Sequence, residues 1–262
     1  MPDRTDPAQL ETLLQSRTRF RRLAFWPSCE STQALATAEF VDGGDAVFWA
    51  DHQTAGRGRQ ERRWHDEPGL DLCATFRIRE PLPEPLALPA ALPVAVVQAC
   101  EPFAGRRLRI KWPNDLFVDG KKLCGVLIDR DSRDPHSYLI GVGINVNRTR
   151  FPRELEPTAT SLALVTGREA DRGRLLLAVA ERIDAMVGDL AARRLADLEA
   201  AFRDRVGLLG QRVVVDAVDV HEGELTAIDF QHLVLDGRRA VPLAVVRRLR
   251  TLPGSNSNLD ER

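Results

Sequence analysis

The apolar positions of this chain follow three spacings, and each predicts a different kind of element. Unbroken apolar runs come first. RRLAFWPSCEST, from Arg21, reads as a strand entering a polar turn, and STQALATAEF, from Ser31, as a helix whose first free N–H groups Ser31 or Thr32 can cap. DAVFWADHQ, from Asp45, predicts a short strand buried on both faces, and LDLCATFRI, from Leu70, the next strand. The proline-rich EPLPEPLALP then leads to an apolar helix around Pro93 to Cys100, with the prolines in its first turn or before it.

A strand meander follows from Arg107 to Asn147, with Asp119-Gly120 as a two-residue hairpin turn and SRDPHS as the next reversal. FPRELEPTATSLALVTG predicts a proline-broken entry and a short helix ending at Gly167. Beyond Asp171, a helix cap, apolar residues recur every three or four positions to Arg205, with a break expected near Gly188. From Gly207 the spacing shortens to strands and turns, which predicts a small five-strand barrel of SH3-like type. The expected division is 1–207 for the main domain and 208–252 for the barrel, with a disordered tail at 253–262.

Composition narrows the function classes. The chain has 262 residues, 44% hydrophobic and 29% charged, with a formal net charge of −1. No global field draws it to nucleic acid or an anionic membrane, so a basic site must be local. No apolar run is expected to span a membrane, and MPDRTDPAQLETLL lacks the basic and apolar regions of a signal peptide. Cys29, Cys73, Cys100 and Cys124 form no C-x-x-C pair, which predicts reduced thiols and a cytoplasmic protein. No histidine pair has metal-ligand spacing, and Ser31 has no nucleophile elbow around it.

Four stretches could carry chemistry. QTAGRGRQERRW, from Gln53 to Trp64, holds four arginines and two glycines. Its glycines let backbone N–H groups approach an anion, and Arg57, Arg59, Arg62 and Arg63 offer fork-shaped donors to carboxylate and phosphate. Neither a dinucleotide fingerprint nor a Walker loop fits it. The plain alternative is an exposed basic turn. In IKWPNDL, Lys111 suits a phosphate, Asn114 both donates and accepts, and Asp115 can hold a lysine or Mg²⁺; the alternative is an ordinary Asn-Asp turn. In GKKLCG, Lys121 and Lys122 point to opposite faces, so one faces inward and needs an anion, unless both are solvated at a hairpin end. Cys124 beside them reads as a small buried residue. In GVGINVN, Gly141 and Gly143 mark close approach, with Asn145 and Asn147 on the same face; a bulged strand is the alternative.

In this order, EST, DHQTAGRGR, the closing Trp64, KWPNDL, KKLCG and GVGINVN resemble biotin–protein ligases, over roughly Leu23 to Arg250. The resemblance implies an α+β fold: a mixed-sheet catalytic core of the class II synthetase and lipoate-ligase type, with a C-terminal SH3-like barrel. It implies a two-step activity. Biotin attacks the α-phosphate of MgATP to give biotinyl-5′-adenylate, and a lysine of a biotin carboxyl carrier protein then takes the biotinyl group. Biotin, ATP and Mg²⁺ are the small molecules it implies. Ser31, Thr32 and Gln33 stand where the family has the Ser-Thr-Asn turn that reads the ureido ring. Gln53, Gly56, Gly58 and Gly125 complete the biotin side. Arg57, Arg59 and Trp64 match the adenylate-gripping loop. Lys122 matches the lysine that reaches the biotin carboxylate and the α-phosphate. Lys111, Asn114, Asp115 and Asn145 match the nucleotide side, with Asp115 a candidate Mg²⁺ ligand. Lys122, Arg57, Arg59 and Lys111 are the implied catalytic group.

Two departures stand out. Gln33 replaces asparagine, and Glu61 replaces a glycine that would be strained as glutamate if its φ is positive. About twenty residues precede the first core strand, so no DNA-binding domain and no DNA role are expected. Exposed strand edges leave room for a homodimer. The competing readings are a lipoate ligase or octanoyl transferase, against which the polar set Ser31, Thr32, Gln33 and Gln53 weighs, and a non-catalytic biotin-binding protein.

Overall fold

A computed structural model describes residues 6–38, 44–131, 133–134 and 136–252. The tail expected at 253–262 and the last residues of the helix expected from Ser31 lie outside them.

Two antiparallel-rich sheets organise the chain. Strands β1 (Arg22–Trp26), β2 (Ala46–Ala50), β3 (Leu72–Arg79), β4 (Arg109–Lys111), β5 (Asp115–Val118), β6 (Lys121–Arg130) and β7 (Ser137–Ile144) form a seven-stranded sheet in the order β1-β2-β3-β7-β6-β5-β4. Only β1 and β2 run parallel, joined by helix α2 (Thr32–Ala38). Asp119 and Gly120 both adopt positive φ, 48° and 73°, as a two-residue β5–β6 hairpin requires. β2 is buried at every position, as its unbroken apolar run predicts.

Alternation gives this sheet two different faces. Val47, Ala74, Phe76, Val126, Ile140 and Val142 join one dry core with the helices. The central helix α3 (Leu88–Ala104) is apolar apart from Gln98 and Glu101, and Pro93 and Pro102 lie within it. It is longer than the expected Pro93–Cys100 span. Pro85–Ala104 does have the length and apolarity of a membrane span, contrary to the expectation from the sequence, and 67% of that window is buried inside the protein. It is sandwiched between the sheet and helix α5 (Arg172–Ala191). The break expected near Gly188 does not occur there. The helix runs on because Val187 and Leu190 are buried, and the chain turns at Arg193, whose φ is +56°, before α6 (Ala196–Val206). The sequence reading also missed α1 (Pro7–Arg17). Its signals are Pro7 at the first turn and the buried pair Leu10 and Leu14, one helical turn apart. The short helix α4 (Leu162–Thr166) ends at Gly167 as predicted, capped at its start by Ser161.

The second sheet, β8 (Arg212–Asp216), β9 (Val220–Ile228), β10 (His232–Leu235), β11 (Arg239–Pro242) and β12 (Arg248–Thr251), has the order β11-β10-β9-β8-β12. It docks on the first through aromatic rings. Trp112 meets Phe202 edge-on at 5.9 Å, Phe202 lies 5.7 Å from Phe230, and the Trp112 indole N–H donates to the Val246 carbonyl at 2.8 Å. That docking brings β12 and the end of β8 beside the open face of the first sheet.

Candidate active site

The open face is built from rows that cross the strands. Strand register puts Ala50, Cys73, Gly143, Gly125, Asp115 and Lys111 in one row, and Phe48, Thr75, Gly141 and Leu127 in the next. In-register neighbours point to the same side, so the glycines leave a trough. An added Cβ at Gly143 would come within 2.5 Å of the Trp64 indole, and one at Gly125 within 3.2 Å. Trp64 therefore lies across both. At Gly141 an added Cβ would meet the Gln33 amide at 3.3 Å. The longer arm of Gln33 fits because the strand beneath it has no side chain.

A β-bulge decides which lysine enters the trough. Leu116 pairs with Cys124, but Phe117 pairs with Lys122, leaving Leu123 as the extra residue on β6. Without it Lys122, three residues before Gly125, would face the helices. With it Lys122 turns to the open side. Its Nζ lies 2.6 Å from Asp115 Oδ1 and 5.7 Å from the centre of the Trp64 ring. Lys121 points away and donates to the Glu156 carbonyl.

The arginine loop is a tight hairpin. Trp64 N–H donates to the Gly56 carbonyl at 2.9 Å and Gly58 N–H to the Arg62 carbonyl at 2.7 Å. A Cβ at Gly56 would sit 2.7 Å from the Trp64 carbonyl oxygen, and one at Gly58 3.1 Å from that of Arg62. The glycines thus let the loop close on itself, and Gly58 also lines the cleft. A 3₁₀ turn, Arg59–Glu61, forms the tip. The left-handed residue there is Gln60, at φ 55°, so the strain expected at Glu61 falls one residue earlier. Burial pulls the Arg59 guanidinium below its usual pKa, against a smaller opposing pull from Asp115.

Loop, sheet and second sheet enclose a cleft of about 840 Å³. Nine lysines and arginines line it against Asp115 and Asp216: Arg57, Arg59, Arg62 and Arg63 from the loop, Lys111 and Lys122 from the sheet, and Arg247, Arg248 and Arg250 around β12. The same cleft is also lined by a polar cluster of amides and hydroxyls. The Gln53 side-chain oxygen accepts from Thr32 N–H at 2.8 Å and Thr32 Oγ1 at 3.1 Å, and Thr75 Oγ1 supports Thr32 at 2.9 Å. Ser31 Oγ accepts from Gln33 N–H at 3.2 Å, and the Gln33 amide nitrogen donates to the Leu139 carbonyl and Asp129, both at 3.3 Å. Among the described residues the Gln33 carbonyl oxygen has no hydrogen-bond partner.

Most of the residues singled out from the sequence meet in this cleft. Asn145 does not. It is buried beneath Lys122, with its amide on the Thr160 carbonyl at 2.9 Å, so it braces the wall. Gly56 also lies off the cleft and acts on the loop. Asn114 lines the cleft, its amide held by the Val126 carbonyl at 3.0 Å. Asp115 does not fit a metal cage. Lys122 already holds its carboxylate, and no group of three metal-ligating side chains occurs among the described residues. Burial pushes the Cys124 thiol well above its usual pKa, as suits an inert core residue. The sequence reading missed Asp216, Arg247, Arg248 and Arg250. The basic run RRLR is visible in the sequence, but nothing local says that it folds back over a distant cleft.

The donor set fits one kind of ligand: a neutral polar head, an apolar middle over glycines and tryptophan, and an anionic end among cations. A model of the biotin/lipoate A/B protein ligase family matches residues 34–145. The chain is 31% identical over 233 residues to a biotin–[acetyl-CoA-carboxylase] ligase of Paracoccus denitrificans, covering 82% of this chain and 95% of that one. It is 35% identical over 185 residues to the bifunctional ligase/repressor BirA of Bacillus subtilis, covering 67% of this chain but 56% of the relative. The chain thus spans about half the length of the bifunctional relatives it matches. A biotin protein ligase from Aquifex aeolicus in complex with biotin and ATP superposes with a TM-score of 0.75 at 26% identity, over 89% of this chain and 100% of that one.

Proposed function

Since this chain belongs to the biotin protein ligase family, we propose that it joins biotin to a carrier-protein lysine in two steps driven by ATP. In the first, a biotin carboxylate oxygen attacks the α-phosphorus. The bond to the bridging oxygen breaks, and biotinyl-5′-adenylate and pyrophosphate form. In the second, a deprotonated lysine amine attacks the acyl carbon, an amide forms, and AMP leaves with the bonding pair. The acceptor lysine belongs to a biotin carboxyl carrier domain of an acyl-CoA carboxylase.

The observation that carries this reading is the lining of the cleft, which combines an amide and hydroxyl set with nine cations. A ureido ring has two N–H donors and one carbonyl acceptor, which suits the amide and hydroxyl set of Ser31, Thr32, Gln33 and Gln53. Carboxylate and triphosphate repel each other and come together only among cations. Lys122 is placed to bridge them, and Arg57 and Arg59 to stabilise the charge that builds on the phosphate oxygens. Asp115 holds the Lys122 ammonium in place at 2.6 Å. Lys111, with Nζ 4.7 Å from the Phe117 ring centre, would offset charge on the leaving phosphates. Mg²⁺ bound to those phosphates would neutralise part of their charge as a hydrated ion carried by the substrate. Trp64 and the loop exclude water from the adenylate, which otherwise hydrolyses.

The test is exchange of labelled pyrophosphate into ATP with Mg²⁺ and either biotin or lipoate. Exchange with biotin alone is the expected result. Exchange with lipoate alone would move the protein to the lipoate branch, and none with either acid would remove the adenylating activity.

A further inference from the structure

We infer that Asp66 is a positioning residue: its carboxylate clasps the two legs of the arginine loop and so holds Gln53 in the cleft wall. The inference rests on the proposed reading of that cleft as the biotin site. Asp66 follows Trp64 by two residues, on the leg that leaves the loop. Its Oδ2 accepts from the main-chain N–H of Gln53 at 3.1 Å and faces His52 Nδ1 at 2.9 Å, both on the leg that enters the loop. One oxygen therefore closes the base of a loop that carries four arginines.

The environment says that this carboxylate is there for its bonds. Its side chain is only 1% exposed, and burying a carboxylate is costly unless it is paired and hydrogen-bonded. Among the described residues no lysine or arginine pairs with it and its Oδ1 has no hydrogen-bond partner, so the Gln53 N–H and the His52 ring, both on Oδ2, are what hold it. An apolar side chain would pack there more cheaply but could not accept from Gln53.

What the clasp fixes is functional. The Gln53 main chain is pinned by Asp66, and its side-chain oxygen by Thr32. Only the amide nitrogen is then left to meet a ligand. On the departing leg, Arg148 holds the His65 carbonyl at 2.6 Å while its Nε pairs with the buried Asp71 at 2.6 Å. Trp64 is thus held from the residues just after it. Loosening Asp66 frees the Gln53 main chain and opens the base of the loop, while Lys111 and Lys122 stay fixed on the sheet.

The test uses the full-length protein with Asp66→Ala, Asp66→Asn and His52→Ala, read in two ways. The first is steady-state KM for biotin and for ATP in pyrophosphate exchange. Asp66→Ala should raise the biotin KM about tenfold, the equivalent of losing one hydrogen bond to a charged group, with a smaller rise in the ATP KM from the loosened arginines. Asp66→Asn, which keeps an acceptor oxygen for Gln53, should stay within about twofold of wild type. His52→Ala should fall between them. The second readout needs no ligand: the rate of tryptic cleavage at Arg57, Arg59, Arg62 and Arg63, which should rise in the same order. A wild-type cleavage rate in Asp66→Ala, or equal rises in both KM values, would overturn the clasp. So would an asparagine variant as impaired as alanine. If Asp66→Ala does not fold, the order of wild type, Asp66→Asn and His52→Ala decides. Absence of biotin-dependent exchange in wild type would instead remove the proposed function and leave the cleavage rates to judge the clasp.

Discussion

The two faces of the seven-stranded sheet are made by alternate residues of the same strands, yet they obey different rules. The helix-backed face holds Phe76, Val126, Ile140 and Val142 in a continuous core, where each contributes burial that its neighbours also contribute. The cleft face carries Gly125 and Gly143 under Trp64, Gly141 under Gln33, Thr75, Asp115 and a lysine turned in by a bulge. One face tolerates exchange of one apolar residue for another of like volume. The other leaves almost no substitution silent, because each position is defined by one atom or by the lack of one.

That contrast can be broken by experiments on single strands. The largest effect is expected on the cleft face. Lys122→Ala should lower biotin-dependent pyrophosphate exchange about 1,000-fold or more, as loss of a charge-stabilising donor does, with an unchanged melting temperature. Near-normal exchange would mean that Lys111 or an arginine meets the reacting oxygens instead. On the other face Phe76→Ala should cost about 3–5 kcal/mol of stability by denaturant titration and leave both substrate KM values alone. A specific rise in one KM would show that the faces are coupled.

Asp71, fully buried at the start of β3, sharpens the seam between them. Burial pushes its carboxyl up to about 6, outweighing the pull of Arg148 beside it. The folded state therefore binds this proton more tightly than the unfolded chain, whose carboxyl titrates near ~3.9. The resulting stability is fully present below about pH 4 and is lost as pH rises through about 6. It amounts to of order 3 kcal/mol, and urea midpoints from pH 4 to 7 should decline more steeply in wild type than in Asp71→Asn.

Smaller effects separate shape from charge. Gly143→Ala places a methyl 2.5 Å from the Trp64 indole, so the ring must shift. Biotin KM should rise about tenfold with little change in stability, while Val142→Ala beside it should do the reverse. Gln60→Gly relieves a left-handed glutamine and should add about 1 kcal/mol or less to stability. A destabilised variant would show that the Gln60 side chain does more than tolerate its backbone.

The sequence makes one face far more legible than the other. Apolar runs and turn residues predicted the strands from Arg22 to Ile144, the Asp119-Gly120 hairpin and the five later strands. The motif order pointed to most of the cleft, including Lys122 in preference to Lys121. What stayed hidden depends on distance along the chain. Asn145 looked like a nucleotide contact because it follows the glycines, yet the Thr160 carbonyl captures its amide fifteen residues away. Arg247, Arg248 and Arg250 reach the cleft through the docking of the second sheet, by the Trp112, Phe202 and Phe230 rings and the Trp112 bond to Val246. The α1 helix is short and mostly polar, with two buried leucines to mark it. The bulge had a signal that was overlooked: Leu123 and Cys124, adjacent and both buried, break the alternation of β6.

The row from Ala50 to Lys111 crosses six strands and is continuous in no stretch of the chain. Its alignment exists only when five strand pairings have found their register, and a slip of one residue in any of them would send its members to the opposite side. During refolding, ligand-binding capacity should therefore appear in a single late phase together with the last sheet pairing, rather than growing as each strand adds on. A partly folded chain would hold no weaker version of the cleft, so quality control over the fold doubles as control over the chemistry.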